Sequence, residues 1–249
     1  MKLFVMRAGR SDGAADIVLI HGTGANSEMW SPQLKVLEES GFRCFIPDLR
    51  GHGQTPEPEE KTDIEVHIQD LLDTLEELDI RYPATFIGHS LGAITCLLLA
   101  ERRPELFSQI LAVGMPGRVL GPVAKAFRIF LGWPYKTLKS LPLKKHLPWR
   151  ERTLIDTPHY TLSQIVDNFA TLDYLSRRFD LQCPVHFSVG RLDPVAPCQY
   201  VQEMHRMLPN STLRIFEWAG HNCMDEQPAQ FNAWMLEKIK TSAFQQSKT

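Results

Sequence analysis

The five residues Gly88-His89-Ser90-Leu91-Gly92 constrain this chain more than any other stretch. They follow a β-prone apolar run, Ala84-Thr85-Phe86-Ile87, and precede a segment from Leu91 to Ala100 that is apolar nearly all round. The first pattern predicts a short strand and the second a buried helix. The chain must therefore turn sharply from strand to helix at Ser90. Glycines suit the flanks of such a turn, because a Cβ there would collide with neighbouring elements. The turn lifts the serine hydroxyl above the sheet edge and sets the free N–H groups of a helix N-terminus beside it. A bare G-x-S-x-G also arises by chance as a Gly-rich turn, so its flanks carry the argument.

A serine hydroxyl is a weak nucleophile at neutral pH and needs a base, with a third group to orient that base. The downstream chain offers both, in the order Ser, Asp, His. Pro184 to Val189 reads as a buried strand followed by Gly190-Arg191-Leu192-Asp193-Pro194. Asp193 thus falls just past a strand end, where open parallel sheets carry their sites. Thr212 to Glu217 reads as the next strand, leading into Trp218-Ala219-Gly220-His221-Asn222 and placing His221 on the same side. Asp193 could instead merely shape a turn before Pro194. Glu217 and Asp225 are rival acids, but Glu217 is expected within the strand and Asp225 as the cap of the last helix. His89, inside the elbow, is expected to pack beneath it.

Near the N-terminus Asp16 to Ile20 is a short apolar strand, followed by His21-Gly22-Thr23-Gly24-Ala25-Asn26. Small residues let backbone approach a reacting carbonyl, so the N–H groups of Thr23 and Leu91 are the expected oxyanion hole. His21 is expected to tie this turn to neighbouring backbone and to be neither base nor metal ligand.

These pieces, together with Asp48-Leu49-Arg50-Gly51-His52-Gly53, resemble the α/β-hydrolase fold superfamily over residues 17 to about 224. The resemblance implies a Ser90-Asp193-His221 triad and a rigid, non-catalytic turn at Asp48–Gly53. It also implies a core of residues 1–114 and 180–249, with residues 115–179 inserted as a helical lid. The pattern of elements agrees with an α/β fold, a mostly parallel, doubly wound sheet covered on both faces. Leu3–Arg7 is expected as an edge strand pairing with the run at Ile17, and Thr62-Asp63-Ile64-Glu65 as a capping box opening a helix. Helices are expected over residues 32–40, 197–208 and 226–240, and strands over 43–46 and 109–113.

Composition bounds the rest. A chain of 249 residues with 43% hydrophobic and 22% charged residues suits one large core. Five cysteines, none in a C-x-x-C pair, suggest reduced thiols and a cytoplasmic setting. No signal peptide or membrane span is apparent, no residues have metal-ligand spacing, and no cofactor is implied. From Gly117 to Arg152 nine Lys or Arg residues face one acid, Glu151, so this segment carries +8 and the remainder −10, for a net −2. On a helical wheel Leu120, Val123, Phe127, Phe130 and Leu131 share one face, with Arg118, Lys125 and Arg128 opposite. The apolar face suits an acyl pocket, and the basic face either solvent or an anionic surface or acyl carrier. Nucleic acid is disfavoured, since no recognition motif accompanies the charge.

The expected reaction is hydrolysis of a carboxylic ester or thioester of a small to medium acyl substrate through an acyl-enzyme on Ser90. The same triad would serve carbon–carbon bond hydrolysis or a cofactor-free haloperoxidase or perhydrolase. A hydrolase-like ligand-binding receptor is the alternative of another class.

Overall fold

A computed structural model of the chain describes every residue except 11, 13, 14, 58, 143–145, 170 and 247–249. Seven strands form one sheet in the order β1-β3-β2-β4-β5-β6-β7. They are β1 Val5–Gly9, β2 Asp16–Ile20, β3 Arg43–Pro47, β4 Ala84–His89, β5 Phe107–Val113, β6 Val185–Gly190 and β7 Ser211–Phe216. All neighbours run parallel except β1, which pairs antiparallel with β3. The expected pairing of the N-terminal strand with the run at Ile17 is thus corrected. β2 is flanked by β3 and β4, and only the outer edge of β3 remains open to β1.

Period-two alternation along the central strands divides the core into two layers. Val18, Ile20, Phe86, Ile110 and Ala112 point to one face, while Ile17, Leu19, Ile87, Leu111 and Val113 point to the other. The first face is covered by α2 (Ile64–Leu75), α3 (Leu91–Arg102) and α8 (Cys198–Met207), which bury Leu71, Leu97 and Val201 there. The second is covered by α1 (Ser31–Glu39) and α10 (Pro228–Gln246), which contribute Leu37 and Trp234. Because central strands are buried on both sides, they read as unbroken apolar runs.

Between β5 and β6 the described residues form four α-helices: α4 Gly121–Leu131, α5 Trp133–Ser140, α6 Trp149–Asp156 and α7 His159–Phe169. They hold a small core of their own, in which Leu131, Tyr135, Leu162 and Val166 are buried and Phe127 and Phe130 pack alongside. The Tyr135 hydroxyl donates to the Thr157 carbonyl at 2.5 Å. The two ends of this excursion are stitched together by an Arg118–Asp173 ion pair at 2.6 Å and a Tyr174 N–H to Gly117 carbonyl bond at 2.7 Å.

Two expected helix starts are corrected. The cap of α2 is Asp63, whose side chain accepts from the Val66 N–H at 3.0 Å. Thr62 instead gives its N–H to Gln164 of α7, so a tertiary bond displaces the capping box. The expected last helix is also split, into α9 (Cys223–Glu226) and α10. Pro228 disfavours helical backbone at Gln227, which takes φ −132° and ψ 59°. Asp225 accordingly lies within α9 and caps nothing.

Asp16, 2% exposed at the start of β2, carries two arginines, Arg43 at 2.5 Å and Arg81 at 2.6 Å. Burial pushes its carboxyl upward, but the Arg43 and Arg81 hydrogen bonds outweigh this and bring it to about 2. A folded-state value below the unfolded one stabilises the fold above the unfolded pKa and is lost as pH falls through the folded one. Asp16→Asn should therefore cost about 2 kcal/mol in denaturant melts at pH 7. That difference should shrink between about pH 4 and pH 2, and a pH-independent difference would contradict this.

Candidate active site

Ser90 stands between β4 and α3 with φ 51° and ψ −111°, the one non-glycine with positive φ among the described residues. Such a backbone is strained for an L-residue. Close packing around it enforces the turn. A Cβ on Gly88 would lie 2.4 Å from the Gly92 carbonyl oxygen, and one on Gly92 would lie 2.2 Å from that of Ile20. The Ser90 N–H is anchored to the Val113 carbonyl of β5 at 2.9 Å. Leu91 opens α3, where the first N–H groups have no carbonyl one turn back.

After β2, the turn at His21–Asn26 is held from behind by two imidazoles. His21 Nδ1–H donates to the Gly22 carbonyl at 2.8 Å, and its Nε2 accepts from the Leu49 N–H at 2.8 Å. His52 Nδ1–H donates to the Arg50 carbonyl at 2.9 Å, and its Nε2 accepts from the Gly24 N–H at 3.0 Å. Each ring must be neutral to accept. Burial lowers His21 to about 4 and His52 to about 3, consistent with that role. Asp48 braces the neighbouring turn by accepting from the N–H groups of Ser27 at 2.7 Å and Gln54 at 2.9 Å. Among the described residues no hydrogen bond of the turn uses the Thr23 N–H.

Asp193 follows β6 and is 5% exposed. Its Oδ1 accepts from the N–H groups of Val195 and Ala196, both at 2.8 Å, and its Oδ2 meets His221 Nδ1 at 2.8 Å. One oxygen thus shapes the turn, and the other meets the His221 ring. With Nδ1–H donating to the carboxylate, His221 keeps the Nε2 lone pair for another proton. The rival acids point elsewhere. Glu217 lies one residue beyond β7, not within it, and pairs with Arg191 at 2.7 Å. Asp225 pairs with Arg150 at 2.5 Å.

His89 does more than pack beneath the elbow. Its Nε2–H donates to the backbone carbonyl of His221 at 2.9 Å, and the two ring centroids are 4.7 Å apart. Burial drives His89 well below the ordinary histidine value, so it remains a neutral prop. This bond spans 132 residues of chain and has no local sequence signal.

Ser90, His221 and Thr23 line one cavity of about 280 Å³, together with Val123, Phe127 and Leu154 of the four-helix insert. Trp149 and Arg150 of α6 also reach it, a placement that composition alone does not reveal. Among the described residues no group of three or more His, Cys, Asp or Glu side chains could hold a metal ion, and no helix is long and apolar enough to cross a membrane.

A strand-elbow-helix serine, a histidine on a carboxylate and a third loop at the same sheet edge agree with known proteins. The family model described as "Alpha/beta hydrolase family" matches residues 17–234. The chain belongs to this family. The α/β hydrolase is 30% identical to the uncharacterised protein Rv2715 of Mycobacterium tuberculosis, over 90% of this chain and 75% of that one. Its fold is similar to an esterase from Exiguobacterium antarcticum, with a TM-score of 0.83, 19% identity and coverage of 96% and 95% of the two chains. It is equally similar to a bromoperoxidase from Bacillus anthracis, with a TM-score of 0.84, 19% identity and coverage of 95% and 94%. At these identities both structures speak for the fold alone.

The strained elbow makes a prediction about stability. Glycine adopts positive φ without penalty, whereas alanine keeps the strain, which is worth about 1–3 kcal/mol at such sites. Ser90→Gly should therefore unfold at higher denaturant than Ser90→Ala, inverting the usual order of the two residues. A less stable glycine variant would contradict a strained turn.

Proposed function

We propose that this α/β hydrolase cleaves a carboxylic ester or thioester of a small to medium acyl group, through an acyl-enzyme on Ser90. The observation that carries the reading is the 2.8 Å bond from His221 Nδ1 to Asp193, with Ser90 and His221 facing the same apolar cavity. His221 Nε2 takes the hydroxyl proton as Ser90 Oγ attacks the carbonyl carbon. The N–H groups of Thr23 and Leu91 receive the oxyanion. As the tetrahedral intermediate collapses, His221 returns the proton to the leaving alcohol or thiol. Water then attacks the acyl-enzyme, again with His221 as base. Asp193 fixes the ring and stabilises its cation.

Residues 115–179 act as the lid in this reading, with α4 supplying Val123 and Phe127 as acyl contacts. A cavity of about 280 Å³ sits at the lower edge of small-molecule sites, which suits a short or medium acyl chain. The Bacillus anthracis relative keeps the peroxidase alternative in view, since that chemistry would use the same residues. Carbon–carbon bond hydrolysis and a non-catalytic receptor would share the fold as well. A hydrogen-bonded pair of buried Asp193 and half-buried His221, beside a strained serine, is more than ligand sensing requires. Five free cysteines, four of them buried, support a reducing compartment such as the cytoplasm.

Turnover of p-nitrophenyl esters of graded acyl length tests the assignment. Ser90→Ala should lower kcat by about 10⁶ and His221→Ala nearly as much. Asp193→Asn should cost less, about 10⁴. The rate should fall on acidification, because a protonated His221 cannot accept the serine proton. Ester turnover that survives Ser90→Ala in purified protein would contradict the reading.

The basic face of the lid has a narrower role than its charge suggests. Arg118, Arg128, Arg150 and Arg152 pair with Asp173, Asp167, Asp225 and Glu28. Lys136 and Lys139 are exposed on α5, although Lys139 Nζ also donates to the Tyr135 hydroxyl at 3.1 Å; Ile129 and Trp133 are 62% and 77% exposed, while Lys144 and Lys145 lie outside the described residues. This outward face is our candidate for an anionic surface or acyl carrier. Neutralising Lys136 and Lys139 should weaken sedimentation with anionic vesicles, or kcat/KM for an acyl-CoA, and leave a neutral short ester unchanged. Unchanged behaviour in both assays would make these lysines a solvated face.

A further inference from the structure

The lid meets the core through charge on both shoulders of the cavity, and one of these contacts reaches the catalytic loop. On one side Arg152 of α6 pairs with Glu28, just beyond the His21–Asn26 turn. On the other, Arg150 enters the cavity wall and sets its guanidinium between two carboxylates of α9. Its Nη2 lies 2.5 Å from Asp225 Oδ2 and its Nη1 3.4 Å from Glu226 Oε1. The other oxygen of Glu226 accepts the Gly220 N–H at 2.5 Å. Gly220 immediately precedes His221.

The Glu226 carboxylate is therefore shared. One oxygen holds the backbone of the His221 loop, and the other is held by the lid. Asp225 and Glu226 are adjacent in sequence, so without Arg150 two like charges would stand side by side next to that loop. The guanidinium supplies the countercharge, and its planar fork spans both acids as a lysine could not. His221 is then fixed from three directions: by Asp193 on its ring, by His89 on its carbonyl and by Glu226 on the preceding N–H. Only the last of these depends on the lid.

We propose that Arg150 is a positioning residue, through which the seated lid fixes the His221 loop in its catalytic geometry. It acts on His221 by way of Glu226 and takes no proton itself. The proposal rests on the Ser90–His221 reading above.

The test compares Arg150→Gln, Arg150→Lys, Glu226→Gln and the Arg150→Gln/Glu226→Gln pair, using p-nitrophenyl acetate and a longer acyl ester. The rate of Ser90 capture by a fluorophosphonate is measured in parallel. Misplacing a base by a fraction of an ångström to 1 Å costs about ten- to a hundredfold in rate. Arg150→Gln should lower kcat and the capture rate by that order while changing KM for the acetate less than about twofold. Arg150→Lys should restore part of the loss, and the double variant should be no worse than the poorer single one. If Arg150 were only cavity wall, KM for the longer ester would rise while kcat and capture stayed at wild-type values. That result, or additive losses in the double variant, would overturn the proposal. Absence of capture in wild type would instead overturn the nucleophile assignment, and this proposal with it.

Discussion

The close approach of β2, β4 and α3 around Ser90 is the constraint on which the rest of the site depends. Gly88 and Gly92 bring backbone against backbone, with no room for a Cβ at either position. That contact forces the serine into a positive-φ turn and seats it at the N-terminus of a buried helix. Strain of this kind persists only where the surroundings over-determine it. Here the two central strands and the anchoring bond from the Ser90 N–H to Val113 do so. Ser90 is thereby held between a buried central strand and a buried helix, while Thr23, Asp193 and His221 sit on loops after β2, β6 and β7.

Those loops need rigidity of another origin, and buried neutral imidazoles supply much of it. A neutral ring offers one donor and one acceptor in a plane, so it can join two backbone groups that have no ladder partner. His21 and His52 do this for the turn after β2. His89 uses its donor to hold the carbonyl of His221. The low titration of all three follows from burial and keeps them in the uncharged form. His221 differs from them because its Nδ1 faces a carboxylate. Four histidines thus divide into three props and one candidate base according to what each ring nitrogen meets.

Much of this was legible in the sequence because the signals are local. The apolar run before Ser90 and the apolar helix after it fix the elbow, and Asp193 and His221 each follow a strand that hydrophobicity marks. Where expectation failed, a distant partner had intervened. Leu3–Arg7 carries no mark of which strand it joins, and β3 takes it because only that edge is open. Thr62 and Asp63 are both competent caps, and the bond from Thr62 to Gln164 of the insert decides between them. Asp225 looked like a cap because its true partner, Arg150, lies far away in the chain. The roles of His89 and Arg150 arise only when loops meet, and no spacing rule encodes them. The charge of the insert depends on distant partners in the same way, since Arg118, Arg128, Arg150 and Arg152 find counterions within the chain.

Acylation of Ser90 is the step on which the proposed function turns. It is tested most directly by acid-quenching the protein in the first turnover of p-nitrophenyl acetate and locating the adduct by peptide mass spectrometry. One acetyl group is expected, on the peptide carrying Ser90, forming with the p-nitrophenol burst and decaying as water attacks. Ester consumption with no adduct, or with the acetyl group on another residue, would contradict it.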